Sequence, residues 1–362
     1  MRLASGDRLH RAALALSIAL VLALPLVTRG DDASPVPAEL GEEPVASVGP
    51  FRYRPGRGLR IGETGLVIGG FTNIKAEHTD ESGGEFTIDR LNFFLIFDYF
   101  TRFRVVADLQ MKDIFAADNE HTGTHDFAFD VRRLFGDYTL YDELRLRAGT
   151  FLTPVGYWNL ILAPPLTWTT EAPLIVEENF FEQTTTGVML HGSAGIGPGQ
   201  LGYNAFTQFL DPLEDDPELV PPDHTAGLQI TYDTLPAWSV GVSYQAADTK
   251  GALSHLGGAH ARVQSERIEI LAEALIQDGD DLEELQWGAY LQGVLEVYRP
   301  FYAVSRFEHF EPPEGKVVNV YTIGGVWKPY PFMALKVEYR LSDHRFDDEN
   351  LNGFFASFTT LF

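Results

Sequence analysis

From residue 61 to its end the chain divides into sixteen short runs of alternating apolar and polar residues, joined by connections that are alternately short and long. Period-2 alternation marks a strand whose two faces meet different surroundings. The runs fall near 62–75, 85–98, 102–112, 126–138, 143–151, 183–194, 200–210, 224–232, 237–246, 258–263, 267–277, 285–297, 301–310, 317–327, 332–342 and 352–362. The short connections are "YFT", "TLYDE", "GIGPG", "DTLP", "QSE", "YRP" and "KPYP"; the long ones are 76–84, 113–125, 152–182, 211–223, 247–257, 278–284, 311–316 and 343–351. An even number of antiparallel strands, with tight turns at one mouth and long loops at the other, is the rhythm of an up-and-down transmembrane β-barrel. The expected fold is therefore all-β, about 16 strands, with the long third loop folded inward.

A soluble sandwich shows the same local alternation, so features outside the runs have to choose. Arg2, Arg8 and Arg11 precede the uncharged stretch "AALALSIALVLALPLV" (12–27). A basic start and a short apolar core read as a secretory signal peptide over 1–30, since a spanning helix needs roughly 20 apolar residues. Residues 31–60, with "SPVPAELGEEPV", read as a flexible periplasmic lead-in, and 61–362 as the barrel. No later stretch reads as a spanning helix, so a chain that crosses a membrane here does so as a closed barrel. The last run, "GFFASFTTLF", puts Phe354, Phe358 and Phe362 on one face. A closing strand ending in Phe resembles the C-terminal assembly signal of bacterial outer-membrane barrels, which is read by the barrel-assembly machinery.

The formal net charge of −24 argues against nucleic acid as a partner, because phosphate binding needs Lys and Arg. Its location is more informative. The eight long connections hold 28 acids against three bases, Lys250, Lys316 and Arg345. Such a rim enriches cations over a Debye length of about 8 Å. The runs "DPLEDDPEL", "DGDDLEE" and "DHRFDDEN" read as solvated loops or, more sharply, as carboxylates that divalent cations bridge to outer-membrane lipid and lipopolysaccharide. None has the spacing of a calcium loop. With no cysteine in the chain, thiolate metal sites, disulfides and a lipidated cysteine are excluded. His121 and His125 in "DNEHTGTHD" read as a solvated loop, so no metal and no cofactor are expected. Ser193 near His191 and Ser254 beside His255 lack any supporting catalytic signature, so no enzyme is expected.

Bases on the wall are unevenly spread. The second to fifth runs carry Arg90, Arg102, Arg104, Arg132, Arg133, Arg145 and Arg147, and the sixth to ninth carry none. With Asp108, these are the expected pore-lining residues, because a lipid-facing Arg costs about 2–4 kcal/mol at the midplane. The adjacent Arg132 and Arg133 need a bulge that turns both inward, or one of them near an interface. The longest connection, 152–182, is too rich in aromatic and aliphatic residues to be a solvated linker. Folded inward, it packs Trp158 and Trp168 on the inner wall and brings in Glu171, Glu177, Glu178 and Glu182. The wall arginines then either face these carboxylates across the constriction or pair with Asp98, Asp108, Asp130 and Asp137 beside them.

Three stretches carry a family resemblance: "RAGTFLTPVGYWN" (147–159), "TTTGVMLHG" (184–192) and "TIGGVWKPYPFMALKVEYRLSD" (322–343). Together they resemble the bacterial outer-membrane porin superfamily that includes the phosphate-selective porin O/P family. That resemblance implies an integral outer-membrane channel of sixteen strands, commonly a homotrimer, that passes small hydrophilic solutes. Phosphate selectivity would require a basic eyelet, whereas residues 152–182 contain no Lys or Arg. The expectation is a general or mildly cation-favouring diffusion channel. An anion- or phosphate-selective porin and a barrel-anchored surface receptor or adhesin are the alternatives.

Overall fold

The computed structural model describes residues 46–362 except 80–82, 101, 119–121, 124–126, 162, 178–179, 212, 214–220, 235–236, 281, 283–284, 313–315 and 346–350. Sixteen long strands form the wall: β1 (Leu66–Thr79), β2 (Gly83–Tyr99), β3 (Phe103–Ala117), β4 (Ala128–Tyr141), β5 (Leu144–Leu152), β6 (Thr184–Ile196), β7 (Gly199–Leu210), β8 (His224–Thr234), β9 (Trp238–Thr249), β10 (Ala252–Gln264), β11 (Ile268–Gly279), β12 (Gln286–Tyr298), β13 (Phe301–Glu311), β14 (Val318–Tyr330), β15 (Met333–Ser342) and β16 (Gly353–Leu361). Each pairs antiparallel with the next. The ladder from Gly353↔Thr79 to Leu361↔Phe71 joins β16 to β1 and closes the barrel, leaving no open edge.

The burial pattern is inverted relative to a soluble protein. On β15, Leu335, Val337 and Leu341 are 39%, 50% and 47% exposed, while Lys336, Glu338 and Arg340 between them are 1%, 3% and 3% exposed. Charge points inward and large apolar side chains point outward, an arrangement that suits a wall bathed in lipid. Tyr99, Phe100, Tyr141, Tyr298 and Tyr330 are all exposed around the short-turn mouth, where amphipathic rings meet a membrane boundary.

All sixteen expected runs become strands, with shifts in several connections. The long connection expected over 247–257 is a two-residue turn, with Thr249 paired to Ala252 across Lys250 (φ 55°) and Gly251 (φ 90°). Both turn residues take the left-handed conformation of a tight hairpin, so the low-propensity stretch "ALSHLGG" extends β10 instead of forming a loop. Likewise β1 runs on to Thr79, which shortens the first long loop to three residues, 80–82.

Residues 1–45, including the expected signal peptide, lie outside the described residues. The described part of the expected lead-in has sheet structure: Ala46–Val48, Phe51–Arg54 and Gly58–Ile61 pair antiparallel in turn. The third joins β1 through Leu59↔Ile68 and Arg60↔Val67, occupying the edge of β1 that β16 leaves free beyond its end.

Candidate channel constriction

The connection between β5 and β6 enters the lumen and contains three short helical turns, Trp158–Ile161, Pro164–Leu166 and Leu174–Glu177. Its neck is tied by its own main chain. Thr153 N–H donates to Gln183 O (3.0 Å), Thr153 Oγ1 donates to Glu182 O (2.6 Å) and Asn159 Nδ2 donates to Thr153 O (2.7 Å).

Beyond the neck, a buried irregular segment must find partners for its backbone polar groups, and the wall of β8–β16 supplies them. Gln229 donates to Gly156 O (2.6 Å), while Glu273 accepts the N–H groups of Tyr157 and Trp158 (both 3.1 Å) and the Tyr290 hydroxyl (2.9 Å). Gly156 has φ 66°, and a Cβ there would lie 1.7 Å from Glu273 Oε1. Only glycine permits so close an approach. Further along, Glu338 accepts from Thr170 N (2.8 Å) and Glu171 N (3.2 Å), and Glu308 accepts from Leu174 N (2.7 Å).

Cations on the same wall take the carbonyls. Lys336 Nζ donates to Pro164 O (2.7 Å), Thr167 Oγ1 (2.8 Å) and Thr169 O (2.9 Å). Arg306 donates to Thr169 Oγ1 (2.6 Å), Glu171 O (3.0 Å) and Ala172 O (3.0 Å), and pairs with Glu308 at 2.8 Å. Between these polar anchors, Trp158, Leu174, Ile175 and Phe180 pack with Leu271, Tyr290 and Phe310 of the wall. Trp168 meets Tyr302 in a tilted contact with ring centroids 5.1 Å apart, donates to Glu269 (2.9 Å) and lies under the Lys328 ammonium.

The loop is thus anchored chiefly on the β8–β16 side of the lumen, and two cavities lie between it and β1–β4. One cavity of about 190 Å³ is bounded by Phe71, Phe94, Asp108, Arg132 and Arg133 on the wall and by Leu152, Leu160, Ile161, Ala163 and Leu166 of the loop side. A second, of about 100 Å³, lies between Asn73, Lys75, Asp89 and Arg90 and the loop residues Trp158, Glu171, Glu177 and Gln183. Their linings hold four bases (Lys75, Arg90, Arg132, Arg133) and four acids (Asp89, Asp108, Glu171, Glu177), so the formal charges cancel.

The wall arginines occupy three kinds of place. Arg90 lines the smaller cavity beside Asp89 (3.3 Å). Arg132 and Arg133 both line the larger one because the ladder to β3 jumps from Asp108↔Arg133 to Leu109↔Val131, leaving Arg132 as the bulged residue. Arg133 pairs with Asp108 at 2.8 Å, and its guanidinium also lies over the Phe94 ring. Arg147 makes a bidentate pair with Asp137 (2.7 and 2.9 Å) and lies 3.9 Å from the Phe135 ring centroid. Arg104 pairs with Asp98 (2.6 Å) near the turn, Arg102 lies in that turn, and Arg145 is exposed two residues toward the next one. These last three stand at the short-turn mouth and do not line the constriction.

The loop carboxylates are likewise dispersed. Glu171 pairs with Lys75 of β1 at 2.9 Å. Burial pushes its carboxyl up, but Lys75 and then Arg340 outweigh burial and hold it below the usual carboxylate range. Glu177 accepts the Ala172 N–H at 2.9 Å, and burial, only partly offset by Arg340, pushes it up to about 7. Glu182 lines a separate cavity against β9–β11, and Glu178 lies outside the described residues. Most wall arginines therefore pair with neighbouring aspartates, and Lys75 takes the facing Glu171. The arginine wall of β2–β5 does not confront the loop carboxylates as a set. Sequence alternation places Glu273, Arg306, Glu308, Lys336 and Glu338 on the lumen side, but nothing local marks them as the loop's anchors. The available signal is charge at inward positions, as in "SRFEHF" and "LKVEYR".

Phe362 exchanges main-chain hydrogen bonds with Gly70 (2.9 and 3.0 Å), and its ring meets Phe93 edge-on. Neither serine of the two Ser/His pairs bonds its histidine. Ser193 accepts from Gln200 (2.7 Å) while His191 lies 3.4 Å from Asp137, and Ser254 contacts Ala247 O while His255 bonds Tyr244 (2.7 Å). His121 and His125 lie outside the described residues, and among the described residues there is no cluster of three or more metal-ligating side chains.

No family model matches the chain. A protein of Aquifex aeolicus (strain VF5) described as uncharacterized is 23% identical over 365 residues, covering 83% of each chain. Among solved structures, an anion-selective porin from Comamonas acidovorans superposes with a TM-score of 0.58 at 13% identity, over 82% of this chain and 99% of the porin. The trimer form of in-vitro folded OmpT, an outer membrane protein of Vibrio cholerae, gives 0.54 at 8% identity, over 82% and 99%. At such identities the likeness shows the fold: a closed sixteen-stranded barrel of the kind seen in bacterial outer-membrane porins. That fold and the lipid-suited outer face support an integral outer-membrane protein.

Proposed function

We propose that the chain is an outer-membrane diffusion channel for small hydrophilic solutes, general or mildly cation-favouring. The observation that carries this reading is the loop anchored on β8–β16, which narrows the lumen and leaves cavities against β1–β4 that each present titratable side chains of both signs beside apolar ones. Charged side chains of both signs in the lining suit polar solutes, and the small cavities suit only small ones. Because four bases offset four acids at the constriction, the acidic long loops outside it set the residual preference. An anion- or phosphate-selective eyelet fits less well, since Arg133, Arg90 and Lys75 each have a carboxylate partner within 3.3 Å.

A homotrimer inserted by the barrel-assembly machinery through Phe362, in contact with lipopolysaccharide, is the cellular form this reading implies; the OmpT trimer is consistent with it. The test is planar-bilayer recording of purified protein. Stepwise conductance with a reversal potential slightly favouring K⁺ over Cl⁻ in a KCl gradient supports the proposal. Absence of steps refutes the channel and favours the barrel-anchored receptor or adhesin, and strong anion preference refutes the role given to the acidic rim.

A further inference from the structure

The segment "FRYRPGRGLR" (51–60) carries four arginines and no acid, in a chain of net charge −24. Its two short strands pair in the register Phe51↔Ile61, Arg52↔Arg60, Tyr53↔Leu59 and Arg54↔Gly58. Strand alternation sorts Phe51, Tyr53, Leu59 and Ile61 to one face and Arg52, Arg54 and Arg60 to the other.

The barrel fixes which face is which. Arg60 is opposite Val67, and Val67 is opposite Ile96, which shares its face of β2 with the lumen-facing Phe94. The arginine face therefore continues the lumen surface, and the apolar face continues the lipid surface. Because the ribbon joins the first residues of β1, beside the bonds between Phe362 and Gly70, it lies at the short-turn mouth.

Arg52 and Arg60 stand directly opposite each other, a position in which like charges destabilise a ladder. All three arginines are exposed, and among the described residues none has an ion-pair partner. An oxyanion between Arg52 and Arg60 removes the repulsion, and two guanidinium forks suit it. Arg54 lies two residues along the strand, roughly 7 Å from Arg52, within reach of a second acidic group on the same molecule. We propose that Arg52, Arg54 and Arg60 form a lip at the short-turn mouth that binds a soluble solute carrying two or more oxyanion groups, carboxylate or phosphate. Under the channel reading, on which this consequence alone rests, the lip collects polyvalent anions at the periplasmic mouth while the opposite rim collects cations.

Isothermal titration of the folded full-length protein in zwitterionic detergent at low salt tests the site, with citrate and pyrophosphate as separate arms and acetate as the single-group comparison. Saturable binding of either polyvalent anion, tighter than acetate, is expected. Binding by both supports the oxyanion class, and binding by one assigns the group. Arg52→Gln with Arg60→Gln should weaken it about tenfold or more. Replacing the same pair with lysine should fall between, because the charge stays while the fork is lost. Arg299→Gln, at another turn of the same mouth, should leave binding unchanged. Far-UV circular dichroism confirms that each variant retains the barrel. No saturable heat with either anion, or equal loss in the Arg299 variant, overturns the lip. Binding that depends on Arg52 and Arg60 in a protein that never conducts keeps the lip and overturns the channel.

Discussion

Replacing Lys336 with methionine removes one charge from the latch while keeping the side chain's length. The ammonium makes three hydrogen bonds of 2.7–2.9 Å to Pro164, Thr167 and Thr169, and Lys336 is 1% exposed, so the contact is shielded from bulk solvent. A bond to a charged group contributes about 1.5–3 kcal/mol, and leaving a buried neutral acceptor unpaired costs about 1–3 kcal/mol. Lumen water rehydrates the freed carbonyls once the loop lifts, so about 3 kcal/mol is expected for the three bonds together, which changes the detached population roughly 150-fold. A detached loop can enter the space against β1–β4, so its excursions should interrupt the current. The assay is single-channel recording of Lys336→Met beside the unmodified protein. Closing events should become far more frequent at an unchanged open level. A steady current of unmodified amplitude and noise would refute the latch.

Three further predictions probe the same site. Gly156→Ala forces a Cβ against Glu273 at a left-handed backbone position, at a cost of about 1–3 kcal/mol; hydrogen exchange over residues 155–160 should accelerate, and unchanged exchange would show the contact to be dispensable. Glu177, pushed up to about 7 by burial, is neutral below that pH and charged above it. Acidifying through this range therefore removes one of the four acids at the constriction and should move the reversal potential toward chloride. Glu177→Gln should hold the low-pH value throughout, and a pH response surviving in that variant would assign it elsewhere. Asp108→Asn frees Arg133 of its 2.8 Å partner and should also shift selectivity toward anions, whereas an unchanged reversal potential would place the pair outside the ion path.

The barrel was legible because lipid outside and water inside impose period 2 on every strand, and "LKVEYR" shows it within six residues. Connections were less legible. Lys250-Gly251 makes a tight turn through two positive φ values, while its flanking Ala, Ser, His and Gly residues lack the β-branched signature of a strand. In the stretch 90–111, the inward Phe94 has no explanation from its own strand; it meets Phe71 at 5.7 Å and lines the larger cavity with Leu160 and Leu166 of the loop. The anchors of that loop were illegible for a related reason. Glu273 and Glu338 are 116 and 167 positions beyond the loop amides they accept from at Tyr157 and Glu171, so only the closed barrel brings them together.

In the proposed channel the loop lies against β8–β16 and solute passes on the other side. Thr170 Oγ1 and Ser357 Oγ are 3.0 Å apart across that contact, and the chain has no cysteine to compete, so Thr170→Cys with Ser357→Cys offers a single cross-link. Conductance of this double variant, recorded oxidised and then reduced, is the direct measurement. The anchored loop predicts that the disulfide forms and that the oxidised channel conducts at the unmodified level. Failure of the disulfide to form in the folded barrel, or a tethered channel that is closed until reduced, would contradict it.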